Sequence, residues 1–365
     1  MIYLDYQATT PLAPEVKAAM LPWLDHFANP HSPHRSGREA AAAIEHARTQ
    51  VAALLPAGGE VVFTSGATEA LNMALRGLDR PGQILCLATE HAAVLDTVEW
   101  LGRQGRAVSV LPVTADGLLD LDLLRDALRR PTALVSALFV NNEVGTVQDI
   151  AAIARLAHEA GALMLCDAVQ GFGRLPIPEG PDLIAMCAHK VHGPKAVGAL
   201  WKRDGLALAP LIRGGGQERG LRSGTLSPLL CAGFGVAAAL AVQRREADLA
   251  HVEALWSLAL ETLGEGWTVN GSRDHRYRGN LNLRRKGLDG ARLLADCRRI
   301  AFSLGSACAS GSGRPSHVLR AIGLSDRDAR SSLRLGFGRY TTEEEMIEAC
   351  MLIRQNAEAQ QWFAA

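Results

Sequence analysis

The stretch PDLIAMCAHKVHGPK, residues 181–195, is the one from which the rest of the chain is best interpreted. Its apolar run at 183–188 predicts a short buried strand that ends at His189 and Lys190, before a Gly-Pro break. A lysine at the end of a buried strand is costly unless it has a partner or a task. One such task is a Schiff base with an aldehyde cofactor. The structural alternative is a lysine that extends from the strand end to the surface, and the stretch by itself favours that alternative.

Apolar runs of strand length predict the rest of a buried sheet. They lie at residues 61–63, 84–88, 108–113, 133–140, 162–166, 183–188 and 197–201. Helix-like segments separate most of them, at 68–78, 94–104, 118–129 and 150–160. This alternation predicts an α/β fold in which helices flank a mainly parallel seven-stranded sheet. Ligands of such sheets bind at the carboxyl ends of the strands, so we expect functional residues just after these runs.

The two ends of the chain predict a second, smaller unit. Residues 3–16 are polar and rich in turn signals, which predicts an arm that docks on something else rather than a core element. Residues 226–263 predict one or two helices leading to a second domain. Weaker strand and helix signals beyond residue 280 predict a small α+β unit. We therefore expect a large domain at 14–250 and a small domain formed by 1–13 and 251–365.

Composition and charge argue against several classes of protein. The chain has 365 residues, 48% of them hydrophobic and 21% charged, as is ordinary for globular proteins. Its formal net charge is +0, so neither nucleic acid nor a membrane is expected as a partner. No signal-peptide pattern or membrane-spanning run is seen, and we expect a cytoplasmic protein. The cysteines show no C-x-x-C spacing, so we expect no disulfide framework and no metal site.

The sequence TSGATE, residues 64–69, follows a predicted strand and opens a predicted helix. Small residues let the backbone approach an anion, and the N–H groups and dipole of a helix start favour one. The hydroxyls of Ser65 and Thr68 would add donors. An ordinary helix cap explains the same residues, so the motif alone leaves both interpretations open.

Polar side chains follow other predicted strands. Asp167 needs a cationic partner, and a protonated pyridine nitrogen would be one, while Gln170 could donate to a ring oxygen. His91 could stack on a flat ring as an acid or base, and the stretch Asn141–Glu143 offers amides for a ring hydroxyl. Helix caps, a packed histidine and turn chemistry are the structural alternatives. Their shared position at strand ends, with the phosphate loop and Lys190, indicates pyridoxal 5′-phosphate.

Nine motifs occur in order along nearly the whole chain: YLDYQATTP (3–11), TSGATEALN (64–72), TEHAAV (89–94), VNNEVGTVQDI (140–150), CDAVQ (166–170), AHKVHGPKAVGAL (188–200), GGGQERGLRSGT (214–225), GSACASGSGRPSHVLRAIGL (305–324) and SSLRLGFGRYTTEEE (331–345). Together they resemble the motifs of cysteine desulfurases of the NifS/IscS type. These are class-V-aminotransferase-like enzymes of fold-type I that use pyridoxal 5′-phosphate.

The resemblance implies a role for each matching residue. Lys190 would hold the cofactor, and His91 would lie over its ring. Asp167 would pair with the pyridine nitrogen, and Arg334 would bind the substrate carboxylate with both arms of its guanidinium. Gln170 and Asn142 would contact the phenolic oxygen of the cofactor or the substrate. Ala67, Thr68 and His189 would bind the phosphate, joined by Thr225 from the partner subunit of a homodimer. Asn29 would support the substrate end of the site.

Cys308 is the sulfur acceptor that the resemblance implies. It would take sulfur from L-cysteine as a persulfide, leave L-alanine, and supply an iron–sulfur cluster scaffold or a thio-modification protein. The Gly/Ser-rich residues 305–313 predict a flexible loop in which the thiol can travel; the structural alternative is an inconsequential surface cysteine. A selenocysteine lyase or a small-substrate class-V aminotransferase is the alternative function, and transamination needs no loop thiol. A protein that binds the cofactor only as a partner or regulator is a third possibility.

Two departures from the family pattern stand out. Relatives usually have serine at the first position of S-x-H-K, where this chain has Cys187. Cysteine is a poor phosphate donor, so cofactor affinity falls unless a neighbour compensates. Ala309 and Arg314 replace the threonine and acidic residue that relatives often carry, and this concerns the choice of acceptor protein rather than the chemistry.

Overall fold

The computed structural model describes residues 1–304 and 316–362, with side chains as far as Gln360. Its strands are β1 (Ile2–Tyr3), β2 (Gly59–Thr64), β3 (Gln83–Leu87), β4 (Val108–Leu111), β5 (Thr132–Leu138), β6 (Leu163–Asp167), β7 (Leu183–Cys187), β8 (Gly198–Arg203), β9 (Trp267–Val269), β10 (Asn280–Arg285), β11 (Ile300–Ala301) and β12 (Ser332–Gly336). Its α-helices are α1 (Pro14–Met20), α2 (Arg35–Ala52), α3 (Ala67–Gly77), α4 (Ala92–Arg103), α5 (Leu121–Ala127), α6 (Ile150–Glu159), α7 (Pro228–Leu263), α8 (Gly290–Asp296), α9 (His317–Ala321), α10 (Asp326–Arg330) and α11 (Glu343–Trp362).

A seven-stranded sheet forms the centre of the fold, in the order β2-β8-β7-β6-β5-β3-β4. Only β8 runs antiparallel to its neighbours, so the prediction of a mainly parallel α/β sheet is confirmed. Each predicted apolar run overlaps one of these strands. Both faces of the sheet are covered, one by α3 and α4 and the other by α2, α6 and α7, which is why the central strands are apolar throughout.

Two small sheets complete the fold. An antiparallel sheet has the order β12-β10-β9, and β1 pairs in parallel with β11. The strands and helices predicted beyond residue 280 appear as β10, α8, α9, β12 and α11. The segment 226–263 forms the single helix α7, which begins at Pro228 and is capped by Ser227. The helix α10 was not predicted, because its sequence DRDAR has no apolar periodicity. The division into two domains stays a prediction.

The N-terminal segment is part of the core, and the prediction of a non-core arm is wrong. Ile2, Leu4 and Tyr6 alternate inward and are buried, as the spacing of a strand requires. The polar residues that follow lie against the end of β7, because the backbone N–H of Thr10 donates to the carbonyl of His189 at 2.9 Å. The segment therefore docks on its own chain, beside the lysine that the sequence singled out.

The six cysteines of the described ranges are all buried. No helix within residues 1–304 and 316–362 combines the length and the apolarity that a membrane crossing requires.

Candidate active site

Lys190 lies on a short 3-10 turn, Ala188–Lys190, directly after β7. Its Nζ donates to the backbone carbonyls of Gln7 and Ala8, the latter at 2.7 Å. Burial lowers the pKa of Lys190 to about 8. About a tenth of the amine is therefore neutral at pH 7, far more than for an ordinary surface lysine, which favours a role as a nucleophile.

Asp167 ends the neighbouring strand β6 and is only 2% exposed. Its Oδ1 accepts a hydrogen bond from the backbone N–H of Val169 at 3.0 Å. Burial raises the pKa of Asp167 to about 6, while the charge of Lys190 acts in the opposite direction. Lysine and aspartate thus lie within electrostatic reach of one another at the ends of adjacent strands. An anionic carboxylate with so few partners fits a protonated ring nitrogen.

The predicted phosphate loop has a backbone arrangement that suits an anion. Thr64, Gly198 and Cys187 are in register at the ends of β2, β8 and β7. A Cβ atom on Gly198 would lie 2.7 Å from the carbonyl carbon of Gly66, so glycine permits this close approach. Helix α3 then begins at Ala67 with no side-chain cap, which leaves its first N–H groups available to a ligand.

Cys187 and His189 flank this cradle as neutral groups. Cys187 is 2% exposed, and burial raises the pKa of its thiol to about 12. Burial lowers the pKa of His189 to about 4, and its Nδ1 hydrogen-bonds with the hydroxyl of Thr9 at 3.2 Å. Neither side chain brings a positive charge to a phosphate at neutral pH.

His91 caps helix α4, because its Nδ1 accepts a hydrogen bond from the N–H of Ala93 at 3.0 Å. Burial, and then the charge of Lys190, lower the pKa of His91. The capping alternative is therefore realised, and the same contact fixes the ring near the lysine as a neutral imidazole. A cap and a stacking role are compatible, since capping uses one ring nitrogen only.

Arg334, on β12, forms the other end of the site and is 1% exposed. Its Nη2 donates to Asp5 Oδ1 at 2.7 Å, and its Nη1 donates to the carbonyl of Asn142 at 3.0 Å. Its Nε has no hydrogen-bond partner among the described residues. Asp5 Oδ1 also accepts the hydroxyl of Ser303 at 3.0 Å. A buried guanidinium held in this way suits a substrate carboxylate.

The loop that carries Asn142 is held by side chains from distant parts of the chain. Asn280 donates to the carbonyls of Asn141 and Asn142, and Asn282 donates to that of Glu143 at 2.9 Å. Arg276 donates to the carbonyl of Val144 at 2.6 Å. These contacts satisfy the backbone of a buried loop, so Asn142 has a defined position beside Arg334.

The remaining predicted residues have local or different contacts. Gln170 donates from Nε2 to the carbonyl of Gln7 at 3.0 Å, and its Oε1 accepts from Arg174 at 2.6 Å. Asn29 is exposed, and its Oδ1 accepts the N–H of His31 at 2.9 Å. Thr225 is also exposed. Their predicted ligand contacts stay predictions, and Cys308 lies outside the described residues.

Asp5 and Gln7 are residues of this site that the sequence analysis does not single out. Each lies inside a quoted motif, so the motifs contained the signal without assigning it. Their contacts reach across the chain, as the Asp5–Arg334 pair with its separation of 329 residues illustrates. In the described part of the chain no group of three or more His, Cys, Asp or Glu side chains could hold a metal ion.

Comparisons with known proteins agree on one family. The class-V aminotransferase family model matches residues 2–348. The chain is 42% identical to a cysteine desulfurase IscS of Rickettsia bellii (strain OSU 85-389), over 96% of this chain and 90% of that protein. A solved structure of a NifS-like protein from Rickettsia africae ESF-5 matches with a TM-score of 0.90 at 30% identity, over 98% of this chain and 99% of that protein. A solved structure of SspA in complex with cysteine matches with a TM-score of 0.83 at 35% identity, over 94% of this chain and 100% of that protein. These matches confirm the resemblance seen in the motifs.

Proposed function

Since the chain belongs to the class-V aminotransferase family and, within it, to the cysteine desulfurases, we propose that it moves the sulfur of L-cysteine to Cys308 with bound pyridoxal 5′-phosphate. The observation that carries the proposal is that the site combines two groups of residues. Lys190 and Asp167 interact at adjacent strand ends, and Arg334 is buried with a spare donor beside Asn142. The first pair suits the cofactor, and the second suits an amino-acid carboxylate.

The residues at the strand ends fit this cofactor. Lys190 offers an amine that is partly neutral at pH 7, and Asp167 offers a buried carboxylate for a ring nitrogen. The uncapped start of α3 and the close approach of Gly66 to Gly198 fit a phosphate. When bound, the cofactor supplies an electron sink for the bonds at the substrate's α-carbon.

The chain's own residues then have distinct tasks. Arg334 orients the substrate through its carboxylate, and Asn142 lies beside that carboxylate. Lys190 would be the group that takes the proton from the substrate's α-carbon, because its lowered pKa of about 8 lets the amine accept and release a proton near neutral pH. His91, neutral and fixed by its cap, lies near Lys190.

The sulfur step balances without another reactant. The Cys308 thiolate attacks the substrate sulfur, a sulfur–sulfur bond forms, and the carbon–sulfur bond breaks. The electron pair of the broken bond stays with the carbon, which gains a proton and leaves as L-alanine. Cys308 keeps the transferred sulfur as a persulfide, so one thiol and one cysteine become one persulfide and one alanine.

The proposal extends to partners and organisation. The enzyme would be a cytoplasmic homodimer in which Thr225, exposed in the single chain, reaches the partner's cofactor phosphate. The persulfide would pass to an iron–sulfur cluster scaffold or another acceptor protein. The large domain would span 14–250, and the small domain, formed by 1–13 and 251–365, would present Cys308.

Single-turnover assays of wild type and Cys308→Ala test the proposal. Wild type should form one persulfide and one alanine per active site, with the persulfide mapped to Cys308 by mass spectrometry. Cys308→Ala should bind L-cysteine, as reported by the cofactor's visible absorbance, without forming protein persulfide. A Cys308→Ala enzyme that formed persulfide at the wild-type rate would refute the role of Cys308.

A further inference from the structure

Glu143 is a buried carboxylate whose backbone is fixed in the site. It is 1% exposed, its N–H donates to Asn141 Oδ1 at 2.8 Å, and its carbonyl accepts from Asn282 at 2.9 Å. Its side chain has a partner outside that network, since Glu143 Oε2 accepts a hydrogen bond from the hydroxyl of Ser316. Burial of a carboxylate is costly, so this contact calls for an explanation.

Ser316 is the first described residue after 305–315, and it starts helix α9. Its hydroxyl donates to Glu143 and accepts the N–H of Leu319 at 3.1 Å, so one hydroxyl links the helix to the site. The next residue, His317, donates from Nε2 to the carbonyl of Glu90 at 2.9 Å. The start of α9 is therefore bound to the residues adjacent to both Asn142 and His91.

Apolar packing supports these polar contacts. Val318 and Leu319 of α9 belong to one buried cluster with Val144, which follows Glu143 directly. The helix therefore rests on the same loop that its first residue contacts.

The other side of 305–315 is also bound to the substrate end. The hydroxyl of Ser303 donates to Asp5 at 3.0 Å, and the backbone N–H of Arg334 donates to the Ser303 carbonyl at 2.7 Å. The carboxylate of Asp5 therefore binds Ser303, which precedes Cys308 in the sequence, and the carboxylate of Glu143 binds Ser316, which follows it.

A helix cap alone does not require Glu143, as the next helix shows. Ser325 caps α10 in the same way, accepting the N–H of Asp328 at 3.1 Å. Its hydroxyl donates to the exposed Asp328 carboxylate at 2.8 Å, three residues away. Ser316 uses instead a buried carboxylate 173 residues away in the sequence. The remote partner thus adds something beyond capping, namely a fixed position for the helix start relative to Asn142.

We propose that Glu143 is a positioning residue for sulfur transfer, which acts by fixing Ser316 next to the substrate-binding loop. The inference rests on the proposed role of Cys308. A tether with a fixed end raises the effective concentration of a group that it carries, and a loosened end lowers it. Neither Glu143 nor Ser316 needs to contact the substrate for this effect, so cysteine binding stays independent of it.

The test uses the holoenzyme carrying Ser316→Ala, with Ser316→Thr as rescue and Ser325→Ala as matched cap control. Persulfide on Cys308 is followed in single turnovers, together with cofactor absorbance and the KM for L-cysteine. We expect Ser316→Ala to slow persulfide formation by about 10-fold, with unchanged absorbance and KM, because the buried carboxyl group of Glu143 loses its hydrogen-bond partner. Ser316→Thr should restore the rate, and Ser325→Ala should leave it at the wild-type value.

A second variant addresses the carboxylate itself. Glu143→Gln keeps an acceptor oxygen but removes the charge, so we expect a smaller decrease in the same rate, about 3-fold. Three results would each overturn the inference. They are a wild-type rate of persulfide formation in Ser316→Ala, an equal decrease of that rate in Ser325→Ala, and a KM for L-cysteine that rises as much as the rate in Ser316→Ala falls. Failure of the proposed function is separate, since it shows in Cys308→Ala forming persulfide while Ser316 is intact.

Discussion

The two ends of the active site are built in different ways. At the proposed cofactor end, Lys190, Asp167 and the start of α3 are placed by the ends of strands in one sheet, and each lies within a few residues of its strand. At the substrate end, Arg334 and Asn142 are placed by contacts between segments far apart in the chain, including the pair formed by Arg334 and Asp5. The difference teaches that sheet topology brings the proposed cofactor-binding residues together, with the N-terminal segment then holding the Lys190 amine, whereas the proposed carboxylate site depends throughout on long-range packing.

The substitution Asp167→Asn is expected to have the largest effect, and to impair the cofactor end of the site while leaving the substrate end intact. Asparagine still accepts the N–H of Val169 but has no charge for a ring nitrogen. We expect kcat to fall by about 10²- to 10³-fold, with the KM for L-cysteine within about 3-fold, because losing one partner of a buried pair costs about 3–5 kcal/mol. Steady-state kinetics measure both constants. Asp182→Asn, in a buried aspartate that hydrogen-bonds His158, is the control for a general loss of stability. A KM effect larger than the kcat effect would contradict the separation.

The substrate end should respond to Arg334→Lys with the opposite kinetic pattern. Lysine keeps the charge but cannot contact Asp5, Asn142 and a substrate carboxylate together. We expect the KM for L-cysteine to rise by about 10- to 100-fold, since about 1.5–3 kcal/mol of charged hydrogen bonding is lost, while cofactor absorbance is unchanged. Arg339→Lys, at a buried arginine paired with Asp248, should leave KM unaltered. Loss of bound cofactor in Arg334→Lys would show that the ends are not independent.

The pH dependence of cofactor attachment tests the electrostatics of the first end. Only the neutral amine of Lys190 attacks an aldehyde, and burial lowers its pKa to about 8. Protonation therefore slows attachment as pH falls. We expect the rate at which the apoenzyme regains visible cofactor absorbance to rise about tenfold per pH unit below 8 and to level off above it. A rate that still rises steeply between pH 9 and 10 would indicate an ordinary lysine.

The smallest effect is expected from Cys187→Ser, at the end of β7, where residue 187 pairs with Gly198 beside the proposed phosphate site. A serine hydroxyl donates a stronger hydrogen bond to phosphate than a cysteine thiol does, and we expect the difference between the two donors to be about 0.5–1.5 kcal/mol. Cofactor should therefore bind about 2- to 10-fold more tightly to the apoenzyme, as measured by equilibrium titration. Cys166→Ser, at a buried cysteine whose side chain packs into the other face of the sheet, is the matched control. Equal or weaker binding in Cys187→Ser would show that residue 187 does not face the phosphate.

The same contrast explains how much of the molecule could be predicted from sequence. The strands and the candidate residues Lys190 and Asp167 follow from local apolar runs and from the rule that ligands bind at strand ends. Only the family resemblance indicates Arg334, because no local pattern links it to Asp5, which lies 329 residues away. The prediction for the N-terminal segment is wrong for the same reason, since its partners β11 and Lys190 are distant in the chain.

The most direct test of the central claim is to trap the cofactor on its lysine. Holoenzyme is treated with borohydride, digested, and the modified lysine is located by mass spectrometry. We predict modification at Lys190 and its absence in Lys190→Ala, with Lys195→Ala, an exposed lysine five residues further on, labelled as wild type. A label on Lys195 or on any other lysine, with Lys190 unmodified, would contradict the assignment of the amine at the end of β7.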